Sequence, residues 1–144
     1  MSIYVVIGAK GGTGAQIVRR LAEKPASAVA EVRCLIRDPS SVAADHLLKE
    51  AEVSGDDRVK LLAGDVMDPA SLAPHFAGAD AVFFAAAGKG YKVCEAVDKN
   101  GLSTVADLAK EAGVRRVVLV SSQLVHPDNR WSMIRQILNS INTG

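Results

Sequence analysis

Apolar residues in this chain fall into short blocks, separated by stretches in which they recur every three or four positions. The blocks are Ile3-Tyr4-Val5-Val6-Ile7, Val32-Arg33-Cys34-Leu35-Ile36, Val59-Lys60-Leu61-Leu62-Ala63, Asp80 to Gly88 and Arg115 to Ser122. Short apolar runs bounded by Gly, Pro or Asp read as strands, and those apolar on both faces as strands buried between two helical layers. After the first block, Ile17, Val18, Leu21 and Ala22 share a helical face opposite Arg19, Arg20, Glu23 and Lys24, in a helix that begins near Thr13 and is ended by Pro25. Ala26 to Ala30 is a small-residue connector. Ser41 to Val53 is a second helix candidate, with Val42, Leu47, Leu48 and Ala51 apolar, and the polar turn Gly55-Asp56-Asp57 closes it. Asp68-Pro69-Ala70-Ser71-Leu72 opens a short helix, with Asp68 as cap and Pro69 in its first turn. Lys89 to Lys92 reads as a loop. Val93 to Ala112 reads as one long helix with Val97, Gly101, Val105, Leu108, Ala109 and Ala112 along a stripe and Gly113 as its cap. A last helix starts at Trp131, with Ile134, Ile137, Leu138 and Ile141 on the same face, which gives Trp131 a packing role.

Strands alternating with helices along the whole chain predict an α/β fold, a doubly wound parallel sheet of the Rossmann type with strand order 3-2-1-4-5, in one domain over residues 1–144. Composition supports this: 49% of residues are hydrophobic but only 4% aromatic, so the core must be Val, Leu, Ile and Ala. A formal net charge of +1 lacks the electrostatic footprint of a nucleic-acid or membrane-surface binder. Cys34 and Cys94 have no spacing suited to zinc or to a disulfide framework, so no metal site is expected and a reducing, cytoplasmic setting is. Met1 leads directly into the first strand with no signal peptide, and no apolar run is long enough to span a bilayer.

The chemistry concentrates where the first strand stops, at Gly8-Ala9-Lys10-Gly11-Gly12-Thr13-Gly14. A glycine cluster between a buried strand and a helix is a cradle for nucleotide phosphates. Gly8 allows a sharp turn, Gly11 lets the backbone approach a pyrophosphate, and Gly14 lets the helix pack closely. The helix then aims its free N–H groups and the positive end of its dipole at the phosphates. The spacing is G-x-x-G-x-x-G, and no Gly-Lys-Ser/Thr follows, so this is not a P-loop. The alternative is a tight βα turn without a ligand.

Later strand ends extend the same site. The second strand ends at Arg37, beside the expected adenosine ribose, where a guanidinium suits a 2′-phosphate; Asp38 follows, so NAD stays open beside NADP. After the third strand, Asp65 is placed to accept from the adenine amine and Val66 to cover a ring face. The fourth ends in the small residues Ala85, Ala86, Ala87 and Gly88, which leave room for a ligand, and the fifth runs into Ser121 and Ser122.

Four stretches carry a family resemblance: Gly8 to Gly14, Ile36-Arg37-Asp38-Pro39, Gly64-Asp65-Val66, and Gly113-Val114-Arg115-Arg116-Val117-Val118-Leu119-Val120-Ser121-Ser122. The chain resembles the NAD(P)-binding part of atypical or extended short-chain dehydrogenases, of the NmrA-like, NAD(P)H-binding type that includes flavin and biliverdin reductases. The resemblance implies an NADP cofactor held by Gly8, Lys10, Gly11, Gly12, Thr13, Gly14, Arg37, Asp65, Val66, Ala85, Ala86, Ala87, Gly88 and Ser121, with Ser122 as the catalytic candidate. It implies hydride transfer to a small conjugated or carbonyl substrate. Two departures point to a rival, a non-catalytic module serving as redox sensor or structural subunit. The Tyr-x-x-x-Lys pair of many relatives is missing, since Tyr91 is followed four residues later by Glu95, and the substrate-covering lobe of similar proteins is absent after Gly144. The fifth strand, Val117-Val118-Leu119-Val120, is then an outer strand without charges, which predicts self-association or a partner chain at that edge unless the helix from Trp131 to Ile141 folds over it.

Overall fold

The computed structural model describes residues 1–41, 46–49, 51–88, 93 and 95–121. Its strands are β1 (Ser2–Ile7), β2 (Val29–Ile36), β3 (Val59–Ala63), β4 (Ala81–Phe84) and β5 (Arg116–Leu119). All four neighbouring pairs are parallel, in the order β3-β2-β1-β4-β5. The expected strand order is the observed one. Parallel strands need long crossovers, and these carry α1 (Gly12–Ala22), a helical segment at residues 46–49, α2 (Pro69–Leu72) with a 3₁₀ turn at Ala73–His75, a π-helical turn at Glu95–Gly101, and α3 (Leu102–Glu111).

Alternation along β1 divides the core. Val6 points to one side with Ala15 and Val18 of α1, Val32 and Cys34 of β2, Leu47 and Ala51. Val5 and Ile7 point to the other, with Leu72 of α2, Phe76, Val82 and Phe84 of β4, and Val105 and Ala109 of α3. Phe76, Phe84 and Leu72 are almost wholly buried, each contributing roughly 1.5–3 kcal/mol of apolar burial. Cys34 is enclosed in the first layer, where burial pushes its thiol pKa up to about 12. Cys94 lies outside the described residues. Among the described residues no helix is long and apolar enough to cross a membrane.

Helix ends follow local chemistry. Asp68 caps α2 by accepting from the Ala70 N–H at 3.2 Å, with Pro69 in the first turn. Gly113, at φ +70°, ends α3: its N–H donates to Lys110 O and that of Val114 to Ala109 O, the paired bonds of a Schellman motif. The Arg58 guanidinium donates to Ala22 O at 2.7 Å and Lys24 O at 2.8 Å, satisfying carbonyls at the end of α1.

Several boundaries differ from expectation. β2 begins at Val29, not Val32, because the Ala26 to Ala30 connector turns within three residues through bonds from the Ala28 and Val29 N–H groups to Pro25 O. β4 pairs only to Phe84 and β5 only over Arg116–Leu119, so Ala85 to Gly88 and Ser121 are loop residues beyond the ladder. The long helix expected over Val93 to Ala112 is interrupted, with a π turn up to Gly101 and regular α-helix only from Leu102. Among the described residues β5 is the outer strand, and Val117, Leu119 and Val120 are 38%, 46% and 43% exposed. The helix expected from Trp131 lies outside the described residues.

Among the described residues, one that is not glycine has a left-handed backbone. Glu52, at φ +55°, closes a Schellman turn in which its N–H donates to Lys49 O and that of Val53 to Leu48 O. This left-handed position costs an L-residue roughly 1–2 kcal/mol and glycine nothing. The compensating ion pair with Arg19, at 3.1 Å, is exposed and contributes about 0.2–1 kcal/mol. Glu52→Gly is therefore expected to stabilise the fold by about 0.5–1 kcal/mol, read as a higher urea midpoint at unchanged slope; a lower midpoint would contradict this.

Candidate functional site

In a parallel sheet every strand ends at the same edge, and there the sequence-derived candidates gather. Gly8 follows β1, Arg37 follows β2, Gly64 to Met67 follow β3, Ala85 to Gly88 follow β4 and Ser121 lies just beyond β5. One further backbone bond lies just past each of three strands: Ala85 N–H donates to Ile7 O at 2.9 Å, Gly64 N–H to Ile36 O at 2.9 Å and Val120 N–H to Phe84 O at 3.0 Å. Those bonds hold the loop roots side by side. Ser122 lies outside the described residues.

The glycine loop is built from two kinds of glycine. Gly8 turns the chain at φ +78°, and a Cβ there would lie 2.5 Å from Ala86 N. A Cβ on Gly14 would lie 2.1 Å from Gly8 O and 2.8 Å from Ala9 Cα. These two are required by the fold, and Gly14 packs on the turn itself rather than on the strand proper. Gly11 differs. Its φ of −77° and ψ of 154° suit any residue, and a Cβ there would meet only Gly8 O, at an ordinary 3.4 Å. At Gly12 a Cβ would meet nothing within 4 Å. The fold leaves these two places clear without needing glycine to fill them.

α1 opens on this clearing. Gly11 is its N-cap and offers no side-chain cap, its first turn has no acidic residue, and the first i−4 bond is from Ala15 N–H to Gly11 O at 2.8 Å. The amides of Gly12, Thr13 and Gly14 precede that bond, at the positive end of the helix dipole. Lys10, Gly11, Gly12 and Thr13 are exposed at this mouth. An anion is what such an end lacks.

At the end of β2, the Asp38 carboxylate turns back on its own loop. Its Oδ1 accepts from Ser40 Oγ at 2.7 Å and Ser40 N–H at 3.0 Å, and these bonds, the side-chain one foremost, hold its pKa below the usual carboxylate range. Arg37 is exposed and, among the described residues, has no ion pair or hydrogen bond, so its guanidinium faces solvent as an unused cation. Past β3, Asp65 Oδ1 accepts from Met67 N–H at 2.9 Å, while Asp65 N–H donates to Ser71 Oγ at 2.9 Å. The second Asp65 oxygen has no hydrogen bond among the described residues. Val66 and Ala86 pack against the core layer that holds Leu72 and Val105.

Sequence reasoning missed the π turn and two residues in it. Asp98 Oδ1 accepts from the Gly88 N–H at 3.0 Å, tying the loop after β4 to this turn. Gly101 is buried, and a Cβ there would press on Val66 Cβ at 3.2 Å, so the turn lies close over the loop after β3. A signal existed, because Asn100-Gly101 in the middle of a helical stripe carries two poor helix formers. Two surface hollows, of about 200 Å³ beside Arg19 and Glu52 and about 220 Å³ beside Tyr4 and Arg115, lie away from these loops. Among the described residues no cluster of His, Cys, Asp and Glu could hold a metal ion.

Comparison with known proteins agrees with this geometry. A family model described as NAD(P)H-binding matches residues 8–142. Cinnamoyl-CoA reductase 1 of Oryza sativa subsp. japonica is 37% identical over 124 residues, which cover 83% of this chain and 34% of that protein. The solved structure of Pen from Bacillus thuringiensis superposes with a TM-score of 0.71 at 26% identity, over 88% of this chain and 39% of that one. A variant of uronate dehydrogenase from Agrobacterium tumefaciens, solved in complex with NAD, shares the fold at a TM-score of 0.62 and 19% identity, over 85% of this chain and 41% of the other. The chain thus spans about two fifths or less of the length of these relatives.

Proposed function

This chain belongs to the NAD(P)H-binding family, and from that premise we propose that it is the cofactor-binding part of an NADP-dependent oxidoreductase acting on a small conjugated or carbonyl substrate. The observation that carries the reading is the uncapped start of α1 behind a clearing at Gly11 and Gly12 that packing does not require. The residues fit a dinucleotide. Gly12, Thr13 and Gly14 amides and Lys10 would hold the pyrophosphate, Asp65 and Val66 the adenine, and Ala85 to Gly88 with Ser121 the nicotinamide half. When bound, the nicotinamide supplies or accepts a hydride; the chain's own contribution is to fix its position and keep space for the substrate beside small residues. Ser122 is the hydroxyl proposed to meet the substrate oxygen.

NADP rather than NAD is favoured by the division of labour at the end of β2. One oxygen of Asp38 is engaged with Ser40, which draws the carboxylate toward its own loop, and Arg37 has no other partner among the described residues. NADPH is expected to bind tighter than NADH, and Arg37→Ala to erase most of that preference, on the order of 1.5–3 kcal/mol for a charge-assisted contact. Equal affinity for the two cofactors in the unmutated protein would contradict it. Activity itself is tested by NADPH oxidation against a panel of flavins, quinones, tetrapyrroles and conjugated aldehydes or thioesters. Absorbance loss with any acceptor supports the enzyme. Cofactor binding without turnover supports the second reading, a binding module.

A further inference from the structure

The π-helical turn Glu95–Gly101 touches two of the candidate loops at once. At one end the Asp98 carboxylate receives the Gly88 N–H at 3.0 Å. At the other, Gly101 sits flush against Val66, and Val97, Leu102, Val66 and Ala86 all pack on the same core layer. The loop after β4 is in turn pressed on the glycine turn, since no Cβ fits at Gly8 between it and Ala85–Ala86. A π turn carries one more residue per hydrogen-bonded ring than an α turn, a weaker local arrangement that persists where its side chains have work to do. Here an exposed aspartate accepts from a backbone amide ten residues away.

We propose that Asp98 is a positioning residue: by holding the Gly88 amide it sets the height of the β4 loop against the nicotinamide half of the cofactor, while the adenosine half is held without it. This rests on the cofactor reading above. A backbone segment that lines a reacting ring must be held to a fraction of an ångström, and a single charge-assisted bond to its amide is the kind of outer contact that does so. Asp98 touches neither cofactor nor substrate in this role. Its influence should therefore be confined to one half of the dinucleotide, which a general structural role would not be.

The test uses the whole chain and three proteins, unmutated, Asp98→Ala and Asp98→Asn, each titrated with NADPH and with 2′,5′-ADP, the adenosine half alone, and in parallel with NADH and ADP. Amide exchange at Gly88 is followed by NMR. Asp98→Ala is expected to weaken the intact cofactor by about three- to tenfold, leave the half-cofactor within about twofold, and speed exchange at Gly88. Asp98→Asn, whose amide oxygen accepts the same bond, should restore both. Unchanged cofactor affinity in Asp98→Ala, equal loss of both probes, or failure of Asp98→Asn to restore them would each overturn the assignment. An unmutated chain that binds neither probe, while Gly88 exchange still quickens in Asp98→Ala, would overturn the cofactor reading and this role with it, although the hydrogen bond itself would stand.

Discussion

Gly11→Val is expected to leave a folded protein that binds neither NADPH nor NADH. The backbone at Gly11 is already in an extended conformation that valine prefers, and a Cβ there meets only one carbonyl oxygen at ordinary contact distance. Valine is a poorer N-cap than glycine, so stability should fall by no more than about 1 kcal/mol. The branched side chain would project into the space before the Gly12, Thr13 and Gly14 amides, where a pyrophosphate must lie against the backbone, and affinity should drop by at least about a hundredfold. Circular dichroism and a urea melt check the fold, and a fluorescence titration checks binding. Retained affinity in a folded variant would show that the loop is only a turn.

Gly14→Ala is expected to do the opposite, damaging the fold before it reaches the ligand. Its Cβ would stand 2.1 Å from Gly8 O and 2.8 Å from Ala9 Cα, both backbone atoms fixed by β1 and by the bond from Gly11 N–H to Gly8 O. No flexible side chain can swing away, so α1 would have to lift from the sheet, loosening Ala15 and Val18 from the core. Destabilisation of about 3–5 kcal/mol follows, a large share of the 5–15 kcal/mol typical of a domain. The check is the thermal midpoint with and without cofactor. A variant as stable as the parent would mean that α1 and the glycine turn are not packed as described.

The contrast between these glycines shows what the sequence could reveal. The run Val5-Val6-Ile7 followed by Gly8, Gly11 and Gly14 announced a strand, a turn and a helix, because buried parallel strands and phosphate turns impose strong local composition. Strand order followed from the alternation of strands and helices, and the observed order is the expected one. That Gly8 turns the chain and Gly14 sits in close packing was legible in the spacing; what each packs against was not, since that depends on the distance from Gly14 to Gly8 and from Gly8 to Ala86 across the sheet. The ends of β4 and β5 were overrun because apolar composition continues past the last paired residue, whereas pairing depends on the neighbour. The π turn was hidden for a similar reason. The stripe of Val97, Gly101 and Val105 fits helical spacing, and the contacts of the turn with Val66 and the Gly88 amide lie across the fold, outside the reach of local spacing. The engagement of Asp38 with Ser40, which leaves Arg37 its own direction, is likewise a matter of loop geometry and not of residue order.

Occupancy of the glycine cradle is the claim on which the rest stands, and a direct titration tests it. NADPH fluorescence followed against the unmutated chain should saturate at one cofactor per chain, be displaced by 2′,5′-ADP, and shift the backbone amide resonances of Gly12, Thr13 and Gly14 before any others. No saturation with NADPH or NADH, or saturation that leaves those three amides unmoved, would contradict it.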